Sequence, residues 1–441
     1  MSRTPPDAPP PEPPSGQLSA GRQNPVSQLL GKLGPGFITG ASDDDPSGIG
    51  TYAVAGASFG FATLWMAWIT FPMMAAVQLV CAKIGMVSGR GLAGVLRLYY
   101  PRWLLYPAVL LLVVANTINA GADIGAIAAA LNMFVPLPIG LMVVPVALLI
   151  LAVQVWGAYR LICRIFKWLS LALFAYIGAA FFAHPDLGAV LGGTLVPTFS
   201  FDGRFLAMVV AILGTTISPY LFFWQADQEV EEEVSRGRLT VAARRGASDE
   251  EIRDATVDVT LGMLFSNLVM YFIILATAAT LFKAGKTDIN SATEAAEALR
   301  PLAGEAARAL FALGLIGTGF LAVPILTGSA AYAVSEAFGW PAGLDEKLRN
   351  AKRFYGVIAA STVIGLGIDL VGINPIDALF WTAVINGLLA PPLLVLIMFV
   401  GNNRAIMGER VNGPIVNGLG WVTVVAMTAA AIGLIWTWGQ G

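Results

Sequence analysis

The chain has 441 residues, of which 56% are hydrophobic and only 12% charged, and its formal net charge is −2. Soluble domains carry roughly 25% charged residues, so this composition indicates a polytopic membrane protein. A single histidine excludes a multi-histidine metal site, and two cysteines in or beside apolar segments exclude a disulfide or zinc framework.

The chain begins with a segment unlike the rest. Residues 1–30 are rich in proline and poor in bulky apolar residues, which predicts a disordered cytoplasmic tail. Residues 31–441 form one predicted transmembrane domain, because apolar segments long enough for a bilayer recur along them. We expect eleven spans, at about 34–59, 61–82, 104–130, 138–157, 161–183, 205–228, 256–282, 306–335, 354–372, 376–401 and 417–438.

The basic residues predict the orientation of these spans. When the N-terminus is placed in the cytoplasm, only five of the 26 lysines and arginines fall on the outer side: Arg204, Lys283, Lys286, Arg300 and Arg308. Cytoplasmic loops of membrane proteins carry the excess of basic residues. This asymmetry favours eleven transmembrane helices, with the N-terminus inside and the C-terminus outside.

The first span is interrupted by an acidic run, Ser42-Asp43-Asp44-Asp45-Pro46-Ser47-Gly48. A charge at the bilayer centre costs at least about 2.5–3.5 kcal/mol. Pro46 lacks an N–H and Gly48 is flexible, so the helix should break here. A break frees backbone carbonyls, which membrane proteins tolerate only where they line a cavity or bind something. Carboxylates beside free carbonyls predict an oxygen-rich cation site.

The sixth span is interrupted as well, at Pro219, which three hydroxyl residues precede. Five spans separate the starts of the two interrupted segments, so spans 1–5 and 6–10 would have opposite orientations. Interrupted helices at corresponding places in two halves indicate a transporter site. We therefore predict an all-α, LeuT-like inverted 5+5 repeat with discontinuous helices 1 and 6. Its parts are repeat one at about 31–183, repeat two at about 205–401 and an extra helix at about 417–438.

At both breaks the sequence resembles the Nramp family of divalent metal ion transporters. The stretches that carry the resemblance are Gly34 through Gly48, Phe71-Pro72-Met73 through Gly85, Gly214 through Pro219, and Asn386 through Pro391. The resemblance implies alternating-access transport of a divalent metal cation across the cell membrane. The ion is then a substrate rather than a cofactor, its partners are the ion and the bilayer, and neither enzymatic activity nor nucleic-acid binding is expected.

The chain departs from the family pattern in its candidate ligands. The family motif Asp-Pro-Gly-Asn reads Asp45-Pro46-Ser47-Gly48 here, and Met-Pro-His reads Ser218-Pro219-Tyr220. A second family histidine aligns with Gln225, and apolar residues replace the glutamine of span ten. Thioether sulfur favours softer metals, whereas oxygen ligands suit Mg²⁺, Ca²⁺ and Mn²⁺. These changes predict a wide site for a hard ion such as Mg²⁺ or Mn²⁺, with proton coupling unsupported.

Asp45 is the predicted principal metal ligand, because it directly precedes the proline of the first break. The resemblance implies that Thr215 contributes its backbone carbonyl. The other candidate ligands are Asp44, Ser47 and Ser218. A helix cap at Asp45, and hydroxyls that bond back to carbonyls around Pro219, are the structural alternatives.

Further polar residues are predicted to line the pocket or a proton path: Gly48, Tyr220, Gln225, Asp123 and Asn386. A carboxylate inside a membrane is a functional candidate by default, so Asp123 carries protons or lines the aqueous path in this interpretation. Plain hydrogen bonds between helices are the alternative for Asp123 and Asn386.

Two charged runs are predicted to lie outside the site. Residues 227–233, which end the sixth span, should form a solvated cytoplasmic segment, and the cluster Arg160, Arg164 and Lys167 should lie at the lipid headgroups. Two alternative functions stay open, transport of a metal chelate and sodium-coupled transport of an organic solute. The second usually requires an uncharged break in the first helix.

Overall fold

The structure, a computed structural model, describes residues 34–156, 171–344 and 346–438. The predicted disordered tail and the basic cluster at 160–167 lie outside these residues. Within them all regular structure is helical. The helices of eight or more residues are α1 (Pro35–Asp43), α2 (Pro46–Phe59), α3 (Trp65–Ser88), α4 (Leu92–Tyr99), α5 (Arg102–Asn132), α6 (Ile139–Trp156), α7 (Ala175–Phe182), α8 (Leu187–Leu195), α9 (Gly203–Thr216), α10 (Pro219–Ser235), α11 (Asp249–Thr277), α12 (Ala307–Phe338), α13 (Lys352–Leu370), α14 (Pro375–Gly401) and α15 (Pro414–Trp438).

Nine helical segments in the described part of the chain are long and apolar enough to cross a membrane. They contain α3, α5, α6, α9 with α10, α11, α12, α13, α14 and α15. The pair α1–α2 lies at the first predicted span, and α7 lies at the end of the fifth, which begins outside the described residues. The positions of the spans thus follow the apolar pattern, while the count of eleven and the orientation stay predictions.

Both helix breaks lie where the sequence predicts them. α1 ends at Asp43 and α2 begins at Pro46, whereas α9 ends at Thr216 and α10 begins at Pro219. Each second half therefore starts with a proline at its first position. The missing N–H of proline costs nothing there, because the first turn of a helix has no internal acceptor for it.

Glycines bring the broken helices into backbone contact with their neighbours. A Cβ added at Gly40 of α1 would lie 2.2 Å from the carbonyl carbon of Gly262 in α11. A Cβ added at Gly214 of α9 would lie 2.1 Å from the carbonyl oxygen of Ala383 in α14. Such distances leave no room for any side chain, so these crossings depend on glycine and fix the two breaks against α11 and α14.

The acid-rich run at 227–233 differs from its prediction. It is helical, since α10 continues to Ser235, and Asp227, Glu229 and Glu233 are buried. The prediction of a solvated segment was therefore wrong for these three residues. Glu233 pairs with Arg238 in the following loop and Glu229 accepts from Gln225 on the same helix, whereas Oδ2 of Asp227 has no hydrogen-bond partner among the described residues.

The partner of Glu233 lies in the loop after α10 and also contacts the first turn of α11. Arg238 donates to Glu233 and, at 2.8 Å, to Glu251, which also accepts from the backbone N–H of Ser248 at the start of α11. The hydrogen bonds that Arg238 donates to Glu251 and Glu233 raise the pKa of its guanidinium above its ordinary value. Arg238 therefore stays charged and joins the end of α10 to the start of α11.

Candidate metal site

The two helix breaks meet in a buried polar centre. Asp43 and Asp44 are fully buried, and the side chains of Asp45, Ser47, Thr215 and Ser218 are each only 1% exposed. Burial of so many polar groups is unfavourable unless hydrogen bonds or a ligand satisfy them. The hydrogen-bond partners of each oxygen therefore decide which groups have acceptor capacity left for a cation.

Asp45 caps α2 and keeps one acceptor position open. Its Oδ1 accepts hydrogen bonds from the backbone N–H of Gly48 and from the Ser47 hydroxyl, both at 2.7 Å. Its Oδ2 accepts from Nδ2 of Asn119 at 2.9 Å. An ionised carboxylate has about four lone-pair positions, so three donors leave one free. The predicted helix cap is therefore present, and it is compatible with binding of a cation at Oδ2.

Asp43 and Asp44 face a different helix from Asp45. The Ser266 hydroxyl of α11 lies 2.5 Å from Oδ2 of Asp43 and 3.3 Å from Oδ1 of Asp44. The second oxygen of each carboxylate is buried without a hydrogen-bond partner among the described residues. Ser266 was not among the predicted residues, and a lone serine in an apolar helix is a weak sequence signal.

The second break offers one unpaired hydroxyl. Ser218 donates its hydroxyl back to the carbonyls of Gly214 and Thr215, at 2.8 and 2.7 Å, which is the predicted structural alternative. The Thr215 hydroxyl has no hydrogen-bond partner in the described chain, and it lies 3.1 Å from where a Cβ on Gly48 would be. Thr215 therefore directs its hydroxyl towards the first break, while its carbonyl accepts the Ser218 hydroxyl.

Asn119 connects the break to two other predicted residues. Its Nδ2 donates to Oδ2 of Asp45 at 2.9 Å and to Oδ2 of Asp123 at 3.0 Å. Its Oδ1 accepts from Nδ2 of Asn386 in α14 at 2.8 Å. Asp123 and Asn386 thus join the site through Asn119 rather than by direct contact with Asp45. The only sequence signal for Asn119 was its place one helical turn before Asp123.

Of the two remaining pocket candidates, only Tyr220 reaches the first break. The Tyr220 hydroxyl donates to the backbone carbonyl of Ser42 at 2.9 Å and so connects α10 to the end of α1. Gln225 instead donates to Glu229, one turn further along α10, at 2.9 Å. The hydrogen bonds of Gln225 therefore point along α10, away from the residues of the break.

No three Asp, Glu, His or Cys side chains converge as a metal cluster in residues 34–156, 171–344 and 346–438. The groups that come together at the junction are the Asp45 carboxylate and the Thr215 hydroxyl, both beside Gly48. Such a donor set suits a hard cation that keeps part of its water shell, because the waters complete the coordination.

Comparisons with known proteins agree over almost the whole chain. Residues 36–437 match the family model Nramp, natural resistance-associated macrophage protein-like. The divalent metal cation transporter MntH of Brucella suis biovar 1 is 28% identical over 416 residues, which cover 92% of this chain and 86% of that protein. The MntH of Klebsiella pneumoniae subsp. pneumoniae is 27% identical over 406 residues, which cover 91% of this chain and 92% of that protein.

Two solved structures share the arrangement of helices. The manganese transporter of Eremococcus coleocola has a TM-score of 0.72 at 21% identity, with 97% of this chain and 89% of that chain covered. Mhp1, a nucleobase-cation-symport-1 family transporter, has a TM-score of 0.59 at 13% identity, with 93% of each chain covered. At these identities the likeness bears on the fold alone.

Proposed function

Because the chain belongs to the Nramp family, we propose that it carries a divalent metal cation across the membrane by alternating access. Family membership agrees with the sequence resemblance and makes the protein an integral membrane transporter of the cell membrane, not an enzyme. The fold is the predicted LeuT-like one. Relatives named as divalent metal cation transporters support the choice of substrate class.

One observation carries the assignment of the site. The open acceptor position of Asp45 and the unpaired Thr215 hydroxyl lie at the meeting point of two broken helices. In transporters of this architecture, substrate and ion sites form where half-helices expose their ends near the midplane. We assign Asp45 as the charged ligand, and Thr215 with carbonyls of the breaks as neutral ligands.

The proposed ion is hard, either Mg²⁺ or Mn²⁺. Every candidate ligand atom at the junction is an oxygen. Ser218 occupies the position at which the family motif has a methionine thioether. Oxygen donors do not discriminate against hard ions, and Mg²⁺ in particular keeps several of its waters. We therefore expect uptake of Mg²⁺ and Mn²⁺ through a site that retains part of the hydration shell.

Proton movement is not part of the proposal. The chain lacks both family histidines, and Asp123 reaches Asp45 only through a neutral amide. Two charges crossing a membrane potential of 100 mV release about 4.6 kcal/mol, which is enough to drive accumulation of the ion. We propose uptake driven by the ion gradient and the membrane potential.

The test is uptake into liposomes that contain the purified protein and a pH-sensitive dye. Asp45→Asn removes the charge but keeps a residue that caps helices well. Asp202→Asn is the matched control, because Asp202 caps α9 in the same manner at an exposed position. We expect the wild type and Asp202→Asn to take up Mg²⁺ or Mn²⁺ without acidification, and Asp45→Asn to lose at least about 90% of uptake.

Three results would each contradict one part of the proposal. Unchanged uptake in Asp45→Asn would refute the assignment of the ligand. Failure of the folded wild type to move any free divalent ion would refute the transported substrate. Acidification that follows ion uptake would refute only the uncoupled mechanism and would restore a role for Asp123.

A further inference from the structure

We infer that the side-chain amide of Asn119, which bridges Asp45 and Asp123, takes the place of the transported cation beside Asp45 when the carrier is empty. The inference rests on the proposed function and adds a step to it, the return of the empty carrier. Its basis is a single nitrogen, Nδ2 of Asn119, that donates to both carboxylates at 2.9 and 3.0 Å.

Two neighbouring buried carboxylates need a cation or a hydrogen-bond donor beside them. Asp45 is 1% exposed and Asp123 is fully buried, and the two are close enough to interact electrostatically. Buried charges are stabilised only when opposite charges or hydrogen-bond donors surround them. A bound cation would supply this stabilisation in the loaded carrier. After the cation has left, the two N–H groups of one primary amide can supply it.

The amide and a cation compete for the same oxygen. Oδ1 of Asp45 is occupied by the Ser47 hydroxyl and the Gly48 N–H, which belong to the cap of α2. Oδ2 is the oxygen that remains for an ion, and it is also the oxygen that Asn119 contacts. A cation at the free position of Oδ2 would lie beside the positive N–H of Asn119, and this repulsion favours an amide that moves away or turns its carbonyl towards the ion.

A third helix sets the orientation of the amide. Asn386 of α14 donates its Nδ2 to Oδ1 of Asn119 at 2.8 Å, and Asn386 is 2% exposed. With the Asn119 carbonyl held by this donor, its NH₂ group must face the two acids. The reverse orientation would place a carbonyl oxygen against two carboxylates and one NH₂ group against another, both of which are unfavourable.

The transport cycle contains a step that depends on this contact. Net uptake into an ion-free compartment requires the carrier to return empty, whereas exchange of an ion inside for an ion outside needs only the loaded carrier to move. A group that stabilises the empty site should therefore matter for net uptake and not for exchange. This difference separates the role of Asn119 from an ordinary structural hydrogen bond.

The experiment measures both modes with radioactive manganese in liposomes. Asn119→Leu removes the amide at similar size, and we expect net uptake to fall by about tenfold while exchange changes by less than about threefold. Asn116→Leu is the matched control: Asn116 lies one turn earlier on α5, is buried, and among the described residues donates only to the Leu326 carbonyl, at 2.9 Å. Any loss in the control should affect net uptake and exchange equally.

The alternatives have distinct outcomes. Equal losses of net uptake and exchange in Asn119→Leu, or no loss of net uptake, would overturn the inference. If that variant does not fold, Asn386→Leu decides in its place, because removal of the donor that orients Asn119 should lower net uptake selectively as well. Absence of both modes in the wild type would refute the proposed function, and the inference with it.

Discussion

At the scale of single residues, the hydroxyl groups of the candidate site differ in whether they have a hydrogen-bond partner among the described residues. Ser218 and Thr216 both donate to backbone carbonyls of α9, as hydroxyl residues near a proline commonly do. The Thr215 hydroxyl is buried and unpaired among the described residues. A buried hydroxyl without a partner is unfavourable, so a ligand that bonds to it gains affinity.

We expect Thr215→Val to raise the half-saturating concentration for Mn²⁺ or Mg²⁺ by about tenfold, since a lost contact of about 1.4 kcal/mol has that effect. Thr216→Val is the control, because Thr216 has the same shape and lies next in the chain but donates to the Ile212 carbonyl. Concentration-dependent uptake into liposomes measures both variants. Equal half-saturating concentrations in wild type and Thr215→Val would remove this hydroxyl from the site.

The sequence could indicate the helix breaks but not all of the side chains that contact them. Pro46, Pro219 and the acidic run predict both breaks from local chemistry, and both are present. The bridging role of Asn119 and the contact of Ser266 depend on which helices lie side by side, which a single sequence does not reveal. The ligand roles of Asp45, Asp44, Ser47, Thr215 and Ser218 stay predictions, and the proposed experiments test those of Asp45 and Thr215.

At the scale of helices, one carboxylate holds the start of α1. Asp258 of α11 accepts from the backbone N–H groups of Gly34, Gly36 and Phe37, at 2.9, 2.7 and 3.1 Å. These N–H groups have no acceptor inside the helix, and a negative charge at a helix N-terminus is favourable. The first half of the broken helix is thus attached to α11 at its start as well as at Gly40.

We expect Asp258→Ala to speed amide hydrogen exchange at residues 34–38 by about tenfold, since loss of a helix cap costs about 1 kcal/mol or more. Asp202→Ala is the control. It removes a cap from α9, where Asp202 accepts from Arg204 and Phe205, so its effect should be confined to that helix. Hydrogen exchange followed by mass spectrometry distinguishes the two, and unchanged exchange at 34–38 would show that Asp258 does not hold α1.

The acid-rich end of α10 shows where sequence patterning misleads at this scale. A run of acids after an apolar segment is typical of a solvated loop. Here the helix continues for two more turns, and the acids pack against the cytoplasmic ends predicted for neighbouring helices. Glu336 of α12 is another acid that contacts a neighbouring helix. It accepts from the N–H groups of Gly91 and Gly94 at the start of α4, both at 2.8 Å.

At the scale of the whole molecule, the orientation in the membrane can be tested directly. Thr240, between α10 and α11, and Lys286, between α11 and α12, are both exposed and are predicted to lie on opposite sides. In a chain whose two cysteines are replaced by alanine, a membrane-impermeant maleimide should label Lys286→Cys in intact cells. Thr240→Cys should be labelled only after the cells are permeabilised. The reverse pattern would mean that the N-terminus lies outside.

The backbone contact between Gly40 and Gly262 also restricts how this protein can evolve. Many tight helix contacts allow compensation, in which a larger residue on one helix is balanced by a smaller one on the other. Here both partners are already the smallest residue, and a Cβ at either position would lie within 2.4 Å of backbone atoms of the other helix. A change at one position cannot be balanced by a smaller residue at the other, so we expect both positions to stay glycine. Gly367, with no heavy atom within 4 Å of its Cβ position, has no such restriction.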